Sequence, residues 1–294
     1  MSVSTPPRDQ VVANAIREIS HIATLPEITL RIIELVEDQK STAQDLHKVI
    51  SNDPALCSRI LKVVNSSFYG LPGQIGSINR AIVMLGLNAV KNIAIAASLA
   101  KLFRGGDLTP TFSAKHLWAH SITTATATKL IADGLHFALV DEAFLGGLIH
   151  DIGIMVEMQS DRNKLIEVID KTGGDSAGVP AEDMMAFEEA TFGATHQHFG
   201  AGLCEKWKFP KTFALACGHH HDPLALPAEQ RTLAAMVYVA DRLSADVGGG
   251  FRLDLKSSAI APDVLDALKL TVAQVDEIRN ALPGHLKTAG NLLG

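Results

Sequence analysis

An adjacent His150-Asp151 pair, set in Leu148-Ile149-His150-Asp151-Ile152-Gly153, puts one imidazole and one carboxylate on neighbouring backbone positions. A divalent first-row metal accepts that mixture of ligands readily. Further donors flank the pair: His120 upstream, and His196, the His219-His220-His221 run and Asp241 downstream. Nine of the twelve histidines fall between His116 and His221, so the clustering does not reflect overall composition. His116 precedes His120 by four residues, a helical spacing that makes it a candidate additional ligand. His196 precedes Gly200 by the same interval, which would let a neighbouring element approach closely. Asp241 lies in an otherwise apolar helical stretch, Tyr238-Val239-Ala240-Asp241, and a buried acid needs a metal, a histidine or an arginine as partner. Successive residues of a helix rotate by about 100°, so the histidine triplet cannot all face one ion unless the helix ends there. His47, His136, His198 and His285 read as solvated or locally hydrogen-bonded side chains.

The elements that must position these residues are helical. Ile28, Ile32, Leu35 and Val36 follow a helical repeat, as do Leu56, Ile60, Val63 and Val64. Ser41-x-x-Gln44 reads as a capping box, and Asp53-Pro54 as a cap followed by proline at the first helical position. No convincing set of alternating strands is found, so the expected class is all-α. Leu145, Leu148, Ile149 and Ile152 give a buried stripe ending at the His-Asp pair, after which Gly153 is expected to turn the chain away. Ser66 to Gly73, Gly173 to Pro180 and Asp222 to Pro227 read as loops, and Arg104 to Pro110 as the domain boundary. This divides the chain into an N-terminal helical half, 1–106, and a second half, 107–294, carrying the His/Asp cluster and C-terminal helices.

Composition narrows the function classes. The 294 residues are 47% hydrophobic and 20% charged, with a net charge of −6, and no dense Lys/Arg block suggests nucleic acid or an anionic membrane as partner. Ala81 to Ala100 is almost wholly apolar, yet Lys91 sits in its middle and Gly86 interrupts it. Two buried helices meeting near Gly86 are expected there, not a membrane span. Cys57, Cys204 and Cys217 form no C-x-x-C pair and read as reduced thiols of a cytoplasmic protein. The N-terminal residues show no basic segment followed by an apolar one, so no signal peptide is expected, and neither is a separate receiver or DNA-binding module within these 294 residues.

Longer motifs resemble a known family. Leu25-Pro26, Asn52-Asp53-Pro54-Ala55-Leu56, Val64-Asn65-Ser66-Ser67-Phe68-Tyr69-Gly70 and Ile78 through Gly86 resemble the first half of an HDOD domain. Trp118-Ala119-His120-Ser121, Gly147 through Gly153, His196-x-x-x-Gly200 and His220-His221-Asp222-Pro223 resemble its second half. The resemblance spans roughly residues 20 to 245 and implies an N-terminal helical bundle packed on an HD-type helical domain, in a bacterial cytoplasmic signalling protein. By resemblance to HD phosphohydrolases, His120, His150, Asp151 and Asp241 would hold one metal. His196, His220 and His221, with Asp151 bridging, would hold a second, as in the HD-GYP phosphodiesterases. Many HDOD proteins have lost these ligands, whereas this chain keeps them.

Two departures turn the expectation away from hydrolysis. The lysine of the phosphodiesterase pattern HD-x-G-K is Ile154 here, and His220-His221 runs into Asp222-Pro223 with no G-Y-P segment. A nonpolar side chain cannot stabilise phosphoryl oxygens as a cation does. The expected function is therefore a signalling protein that acts by binding a protein partner or a small phosphorylated ligand, with one or two Fe, Mn or Zn ions. The alternatives are a metal-dependent phosphohydrolase and an iron-based redox or oxygen sensor. Phe68 and Tyr69 are the candidate partner contacts, with burial between the halves as their competing role.

Overall fold

The computed structural model describes residues 6–19, 27–38, 40–66, 69–100, 102–103, 107–175, 178–248 and 250–289. The first half contains α1 (Arg8–Glu18), α2 (Glu27–Glu37), α3 (Ala43–Ser51), α4 (Pro54–Val64), α5 (Ile78–Leu85) and α6 (Leu87–Leu99). A small antiparallel hairpin, β1 (Asp107–Thr109) and β2 (Phe112–Ser113), leads into the second half. There follow α7 (Ala114–Gly134), α8 (Val140–Ile149), α9 (Ile152–Ser160), α10 (Arg162–Thr172), α11 (Met184–Phe192), α12 (His196–Lys206) and α13 (Lys211–His219). A 3-10 turn at Pro223–Ala225, then α14 (Thr232–Asp246), α15 (Pro262–Leu268) and α16 (Val272–Ala289) complete the chain. The fold is all-α, and the hairpin adds strand structure where the sequence suggested only a boundary loop.

Local signals fix many helix starts. Asp53 Oδ1 accepts the Leu56 N–H at 2.8 Å, with Pro54 opening α4. The capping box of α3 lies one residue beyond the expected position: Thr42 Oγ1 accepts from the Asp45 N–H, and Asp45 Oδ2 accepts from the Thr42 N–H. Ser41 serves a different end, donating to the Leu35 carbonyl at 2.6 Å in the last turn of α2. Lys91 of α6 donates to that same carbonyl and, at 2.7 Å, to Ser41 Oγ. A cation at a helix C-terminus meets the negative end of the dipole, which accounts for a lysine inside an apolar run.

Residues 89–99 of α6 are buried on every side, because α2, α4, α5 and α8 all pack on it. Its apolar character therefore reflects a core helix. No helix among the described residues is long and apolar enough to cross a membrane. The α6–α8 contact joins the two halves, and α1, though first in the chain, packs on α9 and α12. Tyr69 is half-buried, with its hydroxyl 3.4 Å from Asp141 Oδ1 of the second half. Phe68 lies outside the described residues.

Candidate metal centre

Two close helix contacts assemble the His/Asp residues. The small side chains of α7 allow α8 to approach until a Cβ on Gly147 would stand 2.5 Å from Thr128 Oγ1 and 2.8 Å from Ala125 Cα. The buried hydroxyls there are internally satisfied, Thr126 and Thr128 donating to the carbonyls of Ile122 and Thr124. This contact brings His120 Nε2 to 3.2 Å from His150 Nε2. The second contact, α9 on α12, is tighter. A Cβ on Gly153 would lie 1.8 Å from the His196 carbonyl oxygen, so only glycine lets Asp151 and His196 share one site. Gly153 therefore lies inside α9 as a helix-packing point, rather than turning the chain away as the sequence suggested. Gly200 faces it across the contact.

The end of a helix solves the triplet problem. α13 stops at His219, His220 is its C-cap and His221 follows. His220 and His221 consequently bring their Nε2 atoms to 3.4 and 3.1 Å from His196 Nε2. Asp151 stands between the two groups of rings. Its Oδ2 is 3.4 Å from His120 Nε2 and 3.3 Å from His150 Nε2, while its Oδ1 is 3.4 Å from His220 Nε2 and 3.8 Å from His196 Nε2. Asp241 Oδ1 lies 3.2 Å from His120 Nε2.

The far nitrogens of four of these rings, His120, His150, His196 and His220, have hydrogen-bond partners. His150 Nδ1 donates to the Gly147 carbonyl at 2.8 Å and His220 Nδ1 to the Cys217 carbonyl at 2.9 Å. His196 Nδ1 donates to the Glu188 carboxylate at 2.9 Å, and its backbone N–H does so at 3.0 Å. His120 Nδ1 meets Ser244 Oγ at 3.2 Å. A carbonyl can only accept, so His150 and His220 each carry a proton on Nδ1, which turns Nε2 inward as the atom left to act as a metal ligand. Such outer hydrogen bonds are the usual means of orienting metal-binding imidazoles.

Charge inside the cluster is unbalanced. Asp151, Asp241 and Asp254 are buried, and among the described residues none of their six carboxylate oxygens has a hydrogen-bond partner. Burial works against protonation of His120, but the facing Asp151 and Asp241 carboxylates raise its pKa to about 10. His196 is likewise opposed by burial yet raised to about 10, chiefly by Glu188. Burial, and then the neighbouring rings, hold His150 and His221 below the ordinary histidine value. The carboxylates thus draw protons onto His120 and His196. A proton can be aimed at one acceptor at a time, whereas a cation serves all surrounding donors. Ligands about 2.0–2.2 Å from a zinc-like ion stand roughly 3 Å or a little more from one another, as these donors do. The residues present therefore fit metal ions.

The structure brings together His120, His150, Asp151, His196, His220, His221 and Asp241, all seven of the main sequence candidates. His116 does not join them. It is exposed, and it contributes only a backbone carbonyl that accepts from the Phe251 N–H at 3.3 Å. His116 shares a face with His120 but lies in the first turn of α7, about 6 Å further along the axis, where the helix end is exposed. His198 instead caps its own helix, with Nδ1 accepting from the Thr195 N–H.

Three acids escaped the sequence reading. Asp254 brings Oδ2 to 3.3 Å from His221 Nε2 and completes a group with His196, His220 and His221. Glu188 orients His196 from a separate helix. Glu157, fully buried, is pushed well above the ordinary glutamate value by burial and then by Glu188. No spacing marks any of them, since each reaches the site from a different element.

The profile of the HDOD domain matches residues 22–223. The chain belongs to the HDOD family. An HDOD domain protein of unknown function from Geobacter sulfurreducens has a similar fold, at TM-score 0.80 and 22% identity over 97% of this chain and 98% of the other. A candidate phosphohydrolase from Shewanella amazonensis SB2B aligns at TM-score 0.74 and 20% identity, over 97% and 98% of the two chains. A candidate signal transduction protein from Marinobacter aquaeolei VT8 aligns at 0.76 and 22%, over 98% of this chain and 65% of that one. An uncharacterized protein of Treponema pallidum (strain Nichols) is 24% identical over 79% of this chain, which spans only 44% of that protein's length. The HDOD assignment accounts for the helical halves, while the buried donor cluster is a property of this chain's own residues.

Proposed function

We propose that this HDOD protein is a signalling component that holds two divalent metal ions and acts by binding rather than by turnover. His120, His150, Asp241 and Asp151 Oδ2 would hold one ion. His196, His220, His221 and Asp151 Oδ1 would hold the other, Asp151 bridging. The observation that carries the reading is the set of inward Nε2 atoms fixed by Nδ1 hydrogen bonds, facing carboxylates that lack a hydrogen-bond partner among the described residues. Imidazole with carboxylate suits iron, manganese or zinc.

A binding role is favoured by Ile154, which is fully buried in the core where the phosphodiesterase pattern places a lysine. The competing reading is a phosphohydrolase, favoured by the completeness of the donor set and by the similarity to the Shewanella amazonensis protein. An iron-based redox sensor would use the same residues. Elemental analysis of protein purified anaerobically without a nickel column tests the centre, with about two ions per chain expected. Protein that carries no metal and takes up none on addition would sink it. Turnover of a phosphodiester or phosphomonoester with Mn²⁺ or Fe²⁺, abolished in Asp151→Ala, would replace binding with hydrolysis. The partner would be a signalling protein or a small phosphorylated ligand, and co-purification with and without the Tyr69 loop intact distinguishes them.

A further inference from the structure

Beyond α14 the chain folds back over the centre. Gly248 and Gly250 have φ of +72° and +108°, and a Cβ on Gly250 would come within 2.5 Å of the His116 carbonyl oxygen. The next residue is pinned by its N–H to that carbonyl, and the Phe251 ring sets its edge against His120, centroids 6.0 Å apart, and against Phe112 at 5.5 Å. Leu253 packs against Gly174, where any Cβ would lie 2.9 Å from Leu253 Cδ2. A tight turn, with the Leu255 N–H donating to the Arg252 carbonyl at 3.1 Å, presents Asp254 inward. Phe251, Leu253, Asp254 and Leu255 are all buried.

A carboxylate as buried as that of Asp254 costs free energy unless positive charge meets it. Among the described residues neither of its oxygens has a hydrogen-bond partner, and the carboxylates of Asp151 and Asp241 act on it unfavourably. Beside His221 Nε2, its Oδ2 forms a group with the His196, His220 and His221 imidazoles, and Asp151 Oδ1 lies 3.4 Å from His220 Nε2 and 3.8 Å from His196 Nε2. A catalytic metal keeps an exchangeable position for water or substrate, and a phosphoryl oxygen is the same kind of donor as a carboxylate oxygen.

We propose that Asp254 is a metal ligand carried on a covering segment, residues 250–255, and that it fills the coordination position a phosphoryl oxygen would otherwise take. This rests on the two-metal reading above and deepens it. While the segment is seated, the second ion is ligated entirely by protein, and the centre is closed to phosphate and its esters. A site with hydrolase-type ligands is thereby converted to one that holds metal without admitting substrate.

The test uses the full chain loaded with Co²⁺, followed by visible absorption during titration with inorganic phosphate. The native protein is expected to bind two ions and show no phosphate-dependent change. Asp254→Ala is expected to bind the second ion at least about 10-fold more weakly and to give a saturable phosphate-dependent spectrum. Asp254→Asn, which keeps the shape and removes the charge, should behave likewise if the alanine variant folds poorly. Phe251→Ala, with every donor retained, should still exclude phosphate. Two bound ions and equal phosphate responses in native and Asp254 variants would overturn the role of Asp254 while leaving the metal centre standing. Failure of every form to bind Co²⁺ would overturn the centre itself, and with it the ligand role.

Discussion

The α2–α6 half and the α7–α14 half both bury charged side chains, but they satisfy them differently. In the first, Lys91 is held by a helix-terminal carbonyl and a serine hydroxyl, all in one small contact between α2 and α6. In the second, three aspartates converge from three separate elements, and among the described residues no hydrogen bond meets their oxygens. A buried lysine that caps a helix stabilises structure. Converging, unpartnered carboxylates are costly to bury and persist where something else supplies positive charge. The difference separates a half whose buried charge is satisfied internally from one whose buried charge is not.

The largest expected effect comes from Gly153→Ala. A methyl group 1.8 Å from the His196 carbonyl must force α9 and α12 apart. A loss of at least ~3 kcal/mol is expected, at the top of the overpacking range, together with loss of bound metal; a denaturant midpoint within error of the native one would refute this contact as the device that joins the two groups.

Leu56 and Asp151, both fully buried, give the sharpest contrast. Leu56→Ala should cost ~2–5 kcal/mol by leaving a cavity, with metal stoichiometry unchanged. Asp151→Ala should empty both metal positions while the far-UV helical signal survives. If Leu56→Ala also strips the metal, the halves are not separable in this way.

Glu188→Gln tests the outer hydrogen bonds. Losing the negative acceptor on His196 Nδ1 is expected to weaken metal binding by about 10–100-fold without changing how many ions bind at saturation, as read by competition with a chromophoric chelator.

A subtler expectation concerns pH. His120 and His196 have folded-state values of about 10, above the ~6.5 of an unfolded chain. Their protons therefore stabilise the metal-free fold fully below pH ~6.5, and that contribution is lost as the pH rises towards 10. Metal binding displaces those protons, so metal affinity should rise over the same window. Thermal midpoints with chelator present should fall from pH 6.5 to 10, whereas metal-saturated protein should not follow that trend. A flat chelated profile would remove the histidine protons from the balance.

Much was legible in the sequence because it depended on neighbours along the chain. Helical repeats through Ile32 and Leu56, the Asp53-Pro54 start and the break at Gly86 all express local backbone preferences. So did the main donors, since His150-Asp151 and His220-His221 are adjacent and His120, His196 and Asp241 stand out within their motifs. The errors were also local in kind. The α3 box moved by one residue because Ser41 was drawn to Lys91, 50 residues away. His116 looked equivalent to His120 by spacing alone, but it falls in the exposed first turn of α7, one turn short of the buried stretch that holds His120.

By itself, then, the sequence determined the helical class, a few helix boundaries such as the Asp53-Pro54 start, and which residue types could offer donors to a metal, because these follow from periodicity, capping chemistry and side-chain type. Only the tertiary structure decided that Asp151 stands between two groups of imidazoles, that Glu188 orients His196 and that Asp254 closes the second group. Those relations join residues from elements far apart in the chain. Their geometry is set by how closely α7 and α8, and α9 and α12, can approach, which depends on Gly147 and Gly153 having no side chain to hold the backbones apart.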